Sequence, residues 1–132
     1  MQVECPLGDV VDRLSILAIK QARLPTPEAR ANATREAAAL GEAWNGAGLP
    51  AIPSLAAWER LCAVNEALWE VEDLLRAHER SGAFDEAFIA LARSVYRLND
   101  TRSQLKRSIN LDFGSTLIEE KSYLPPDREP TG

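Results

Sequence analysis

Between Ser54 and Leu111 apolar residues return every three or four positions, with a single break at Ser81-Gly82. Ala57, Leu61, Val64, Leu68, Val71 and Leu75 form the seam before the break. Leu91, Val95, Leu98, Leu105 and Ile109 form the seam after it. This is the spacing of helices with one buried stripe. Two such segments joined by a short glycine-containing break fold back on each other as an antiparallel hairpin, and the remaining chain must pack around it.

That remaining chain is also helical in pattern. Leu7, Val10, Leu14 and Leu17, widened by Val11 and Ala18, make one apolar face, while Ile16 and Ile19 fall on roughly the opposite side beside Asp12 and Arg23. A helix that is apolar on two sides is either central in its fold or lies at a subunit interface. Pro25 ends it. Thr26-Pro27-Glu28 reads as an N-cap, a proline in the first turn and an acid there, opening a helix whose narrow stripe is Ala33, Ala37, Leu40 and Trp44. Gly46 to Pro53 is a connection, and Ser54 is the expected cap of the next helix. The expected fold is therefore all-α: a single-domain antiparallel bundle of about four helices with short irregular termini. The helices are expected over about residues 6–23, 27–44, 54–80 and 84–111, with the last two as the long hairpin. The tail from 113 to 132 is expected to be partly extended, and 125–132 flexible.

Composition narrows the partners. Twenty of the 132 residues are alanine, so Leu, Val, Ile and three Trp must supply most of the core. A net charge of -5 disfavours general nucleic-acid or anionic-membrane binding. No apolar run approaches the roughly 20 residues of a spanning helix. The N-terminus has no signal-peptide pattern. Cys5 and Cys62 lie far apart with no Cys-x-x-Cys spacing; one disulfide is open to them, but two reduced thiols of a cytoplasmic protein are the expected reading.

Candidate functional residues sit on the hairpin. The position missing from the second seam is Arg102, and a neighbouring stripe runs Tyr96, Asn99, Ser103, Lys106, Asn110. A second stripe on the preceding helix runs Trp58, Cys62, Asn65, Trp69, Glu72, Arg76. With the turn near Gly82, uniform helix rise puts Asn65 near Asn99 and Trp69 near Tyr96. Asn65, Glu66, Asn99 and Arg102 then form a polar layer, to which Asp12, Arg13 or Lys20 can be added from the first helix. Such a layer can be structural, its members satisfying one another and fixing register. It can also be a ligand site. Arg102, Lys106 and Lys20 would bind a carboxylate or phosphate, Asn65 and Asn99 would orient it, and Tyr96 and Trp69 would wall it. Glu66, Glu70 and Asp73 put carboxylates on one face where they could hold a divalent cation, and Glu70-Val71-Glu72-Asp73 has the Glu-x-x-Asp spacing of some helical, magnesium-dependent nucleotide pyrophosphatases, a pattern that also arises by chance on an acidic face. No zinc cluster, phosphate-cradling loop or Ser-His-Asp set is present, and no cofactor is expected.

Three blocks resemble a family of short bacterial proteins of about this length classified as a domain of unknown function. They are Pro6-Leu7-Gly8-Asp9 with Val11-Asp12-Arg13-Leu14-Ser15-Ile16-Leu17-Ala18-Ile19-Lys20, then Val64-Asn65 to Leu68-Trp69 with Val71-Glu72, and Ala92-Arg93-Ser94-Val95-Tyr96 with Asn99-Asp100 and Arg102. Lys106, Ile109-Asn110 and Glu120-Lys121-Ser122-Tyr123 follow. The resemblance implies no activity of its own, beyond an association with cell-envelope polysaccharide synthesis. The expected function is a helical, homodimeric binding or accessory protein with a polar cationic cleft for an anionic group. The dimer contact is expected at the first helix or an exposed Trp face. The alternative is a small all-α enzyme, of chorismate-mutase-like or magnesium-dependent pyrophosphatase type.

Overall fold

A computed structural model describes residues 4–114, and the expectations for the tail beyond Gly114 lie outside the described residues. Four α-helices make up the fold: α1 (Leu7–Arg23), α2 (Pro27–Gly46), α3 (Trp58–Ser81) and α4 (Glu86–Asp112). A short 3-10 turn, Ile52–Ser54, precedes α3.

Local chemistry sets the boundaries. Leu24 cannot continue α1 because Pro25 restricts the residue before it, and its backbone is extended at φ -63°, ψ 140°. The Thr26 hydroxyl accepts from the Ala29 N–H at 3.1 Å, and Pro27 follows at the helix start. α3 starts four residues later than the serine signal predicts. Ser54 ends the 3-10 turn, and its hydroxyl donates to Ala51 O at 2.6 Å instead of capping a helix. α3 closes on Gly82 in the left-handed region (φ 70°), where a side chain would be strained. His78 hydrogen-bonds through Nδ1 to Ala83 O at 2.8 Å, which ties the turn to the helix end. Asp85 then caps α4 by accepting from the Phe88 N–H at 3.1 Å.

The packing has three layers. α1 lies between α2 on one side and the α3–α4 hairpin on the other, which explains why it is apolar on two faces. Of the two possibilities in the sequence, the central position accounts for α1 without a subunit contact. The core joins Val11 of α1, Trp44 of α2, Leu61 of α3, and Leu105 and Ile109 of α4, each at most 6% exposed. Each such side chain contributes roughly 1.5–3 kcal/mol by leaving water. Trp44 seals the end of this core, at the base of the hairpin: its indole N–H donates to Pro50 O at 2.6 Å, and its ring meets Phe113 edge-on at 5.8 Å. The segment between α2 and α3 is thus folded over the core through Leu49 and Ile52.

The far part of the hairpin is different. Arg23, in the last turn of α1, reaches Glu66 and Glu70 at 2.5 and 3.0 Å. α3 continues 11 residues beyond Glu70, about 16 Å of helix rise. Along this arm Leu74, Phe84, Ile89 and Tyr96 are 47–72% exposed.

Candidate functional site

A chain of polar groups runs through the contact between α1 and the hairpin. Asp12, Ser15, Asn65 and Asn110 are all at most 5% exposed. A buried carboxylate is costly unless charged and hydrogen-bonding partners surround it. Asp12 has them. Arg102 donates from Nε to Oδ1 at 2.9 Å and from Nη2 to Oδ2 at 2.6 Å, a two-pronged pair across α1 and α4. The Asn65 amide donates to the same Oδ1 at 2.9 Å and to Ser15 Oγ at 2.7 Å. Ser15 in turn donates to Asp12 O at 2.7 Å. Three helices therefore meet at one carboxylate.

One turn towards the start of α1 the same two helices meet again. Lys106 Nζ stands 3.2 Å from Asp9 Oδ1. That oxygen is buried and has no aligned hydrogen bond, so the contact is an ion pair by distance rather than by direction. Beside it the Gly8 N–H donates to Asn110 Oδ1 at 2.7 Å. A β-carbon on Gly8 would stand 2.3 Å from the Lys106 carbonyl oxygen. The glycine is what lets the two backbones touch.

The structure brings Arg102, Asn65 and Asp12 together and puts Lys106 one turn away. Asn65 faces Arg102 through Asp12, not Asn99. The break between α3 and α4 runs from Gly82 to Asp85, so its midpoint lies past Gly82, a register shift that accounts for Arg102 standing where Asn99 is expected. Asn99 and Lys20 are half-buried, and neither makes a side-chain hydrogen bond or ion pair with a described residue. Lys20 is eight residues along α1 from Asp12, about 12 Å of rise. Trp69 is half-buried. Tyr96, expected as a wall, is 72% exposed, and Glu72 is exposed as well. Both helices turn these residues outward along the arm, where no third helix of the described residues lies against them. Ser15, Gly8, Asp9 and Asn110 belong to the cluster without having been singled out as site residues. Ser15 and Gly8 lie in the first motif block, but nothing local marks a serine as an acceptor or a glycine as a point of close approach.

The acidic face of α3 is already engaged. Arg23 closes on Glu66 and Glu70, and the hydrogen bonds to Glu70 and then Glu66 are what raise its own pKa. Asp73 pairs with Arg76 at 3.1 Å. Among the described residues no three His, Cys, Asp or Glu side chains converge as a metal site. Burial is the larger cause, ahead of Glu66 and Glu59, that pushes the Cys62 thiol above its usual pKa. Neither cysteine is in a disulfide. No described helix is long and apolar enough to cross a membrane.

The chain belongs to the family of unknown function DUF6165, whose model matches residues 1–132. No curated protein and no solved structure matches it.

Proposed function

We propose that this member of the DUF6165 family is a binding or accessory protein that recognises an anionic small molecule, or an acidic group of a partner, at Arg102 and Lys106. What carries this reading is the way Asp12 holds Arg102. Two donors of the guanidinium are fixed on one carboxylate while the side chain keeps 30% of its surface exposed. A cation positioned in advance loses little freedom when an anion arrives. Lys106 adds a second charge one turn along, held beside Asp9. Asn65 acts through Asp12 and is a positioning residue.

The geometry offers less to a catalyst. Asp12 accepts from three donors within the protein, so its oxygens are engaged in holding the helices together and are not turned towards a substrate. A magnesium-dependent hydrolase would need Glu66, Glu70 and Asp73 to turn their oxygens towards one cation, whereas each is drawn to an arginine. A cytoplasmic setting and a link to cell-envelope polysaccharide synthesis belong to the same proposal.

The test is a melting-temperature titration with phosphate and with citrate. The parent, Lys106→Gln and Arg93→Gln are compared, the last as a control for unspecific attraction. A ligand at ten times its Kd stabilises by about 1.4 kcal/mol. For a chain of this size that is a rise of roughly 3–6 °C. The rise is expected in the parent and in Arg93→Gln but not in Lys106→Gln. An equal rise in all three, or none in the parent, would leave the cluster a purely structural one.

A further inference from the structure

The arm of the hairpin carries a feature that the cationic cluster does not use. Glu86, Ala90, Arg93 and Arg97 follow one another at steps of four, three and four residues, one stripe along α4. With Ile89 they line a shallow concavity on the outside of the helix. Glu86, Ala90, Arg93 and Arg97 are all exposed, and Ile89 is 47% exposed. Neither arginine makes an ion pair with a described residue. The spacing reads the same in both directions. When two copies of α4 lie antiparallel about a two-fold axis between Leu91 and Ala92, Glu86 faces Arg97 of the second copy, and Arg97 faces its Glu86. Ala90, a small residue, faces Arg93 and gives that longer side chain room. A two-fold contact requires this reciprocity, since one patch must complement itself.

We propose that the occupant of this stripe is a second copy of the same chain, docked antiparallel along α4 with Glu86 and Arg97 in reciprocal ion pairs. Charge complementarity selects this occupant. An acidic segment of another protein would satisfy the arginines but would leave Glu86 against like charge. Repulsion between two chains of net charge -5 is eased where each presents two arginines. A contact of one helix per copy over about three turns falls below the roughly 1,200 Å² of a standard interface, so the dimer is weak and depends on concentration. The inference is independent of the anion-binding proposal, because it uses neither Arg102 nor Lys106.

Sedimentation equilibrium from about 5 to 500 μM tests it, with protein concentrations set by the weak-interface expectation. The parent is expected to pass from monomer to dimer across this range. Arg97→Glu is expected to remain monomeric, and so is Glu86→Arg. The double variant Glu86→Arg/Arg97→Glu restores both pairs with their signs reversed and is expected to dimerise like the parent. Circular dichroism melting confirms that each variant is folded, as substitution at exposed positions should allow. A parent that stays monomeric at 500 μM overturns the proposal, as does a dimer indifferent to Arg97→Glu. A double variant that fails to dimerise overturns the pairing.

Discussion

The base and the arm of the α3–α4 hairpin are built from the same two helices with the same apolar period, yet only the base is buried. Leu61, Leu105 and Ile109 of the seam are at most 6% exposed, whereas its continuation in the arm, Val71, Leu75, Leu91 and Val95, is half-buried and Leu74, Ile89 and Tyr96 beside it are 47–72% exposed. The difference is the third helix. α1 lies along the base and ends at Arg23, level with Glu66 and Glu70, so among the described residues the arm is one helix packed on the other. Two helices cover one stripe of each other; a third layer is needed to bury the flanks. Polar residues follow the same division. In the base Asp12, Ser15 and Asn65 satisfy each other out of water, while in the arm Arg93, Arg97 and Glu86 face it.

The sharpest way to break this comparison is Arg102→Met. Removing one partner of a buried pair costs about 3–5 kcal/mol. Because Arg102 is 30% exposed, the lower end, about 3 kcal/mol, is expected in chemical denaturation. Asp12→Leu combined with Arg102→Met should recover much of that loss, since no charge is then left buried. If Arg102→Met is as stable as the parent, the base is not held by this pair.

Gly8→Ala comes next. Its β-carbon would meet backbone, not a side chain that can swing away, so α1 must retreat from α4. A loss of about 2 kcal/mol is expected, of the size seen for overpacking. An unchanged midpoint would show that the two helices are not pressed together in solution.

Hydrogen exchange sharpens the contrast without mutation. Amides of α3 beyond Glu70 and of α4 before Leu98 should exchange through local opening, faster than those around Leu61 and Leu105. Uniform protection along α4 would mean that the arm is as firmly held as the base. The smallest effect is expected for Tyr96→Ser, within about 0.5 kcal/mol, because an exposed side chain on the arm supports little of the fold.

Cys62 provides a chemical probe of the base. With its thiol pKa raised, first by burial, it holds less thiolate at neutral pH than a free cysteine. Alkylation at pH 7.5 should therefore be slower than for a cysteine-containing peptide, and the rate should climb as pH rises through the raised pKa. Equal rates would show that the base opens readily.

What could be read from the sequence follows from distance along the chain. Helix positions, the Thr26 cap, the stop at Pro25 and the hairpin break depend on residues within a turn of one another, and periodicity or capping chemistry reveals them. The sequence also placed Arg102 in the seam and Asn65 on the neighbouring stripe, since angular position on a helix is a local property. Which groups meet is not. Asp12 finds Arg102 across 90 positions, at a level set by how α1 slides along the hairpin, and Gly8 matters only because Lys106 carries its carbonyl to that point. The fate of Tyr96 was equally hidden. Its spacing is that of a wall residue, and it is 72% exposed because, among the described helices, α1 stops short of it. The period of a helix states which side is to be covered; the lengths and crossing points of other helices decide how much of that side is covered.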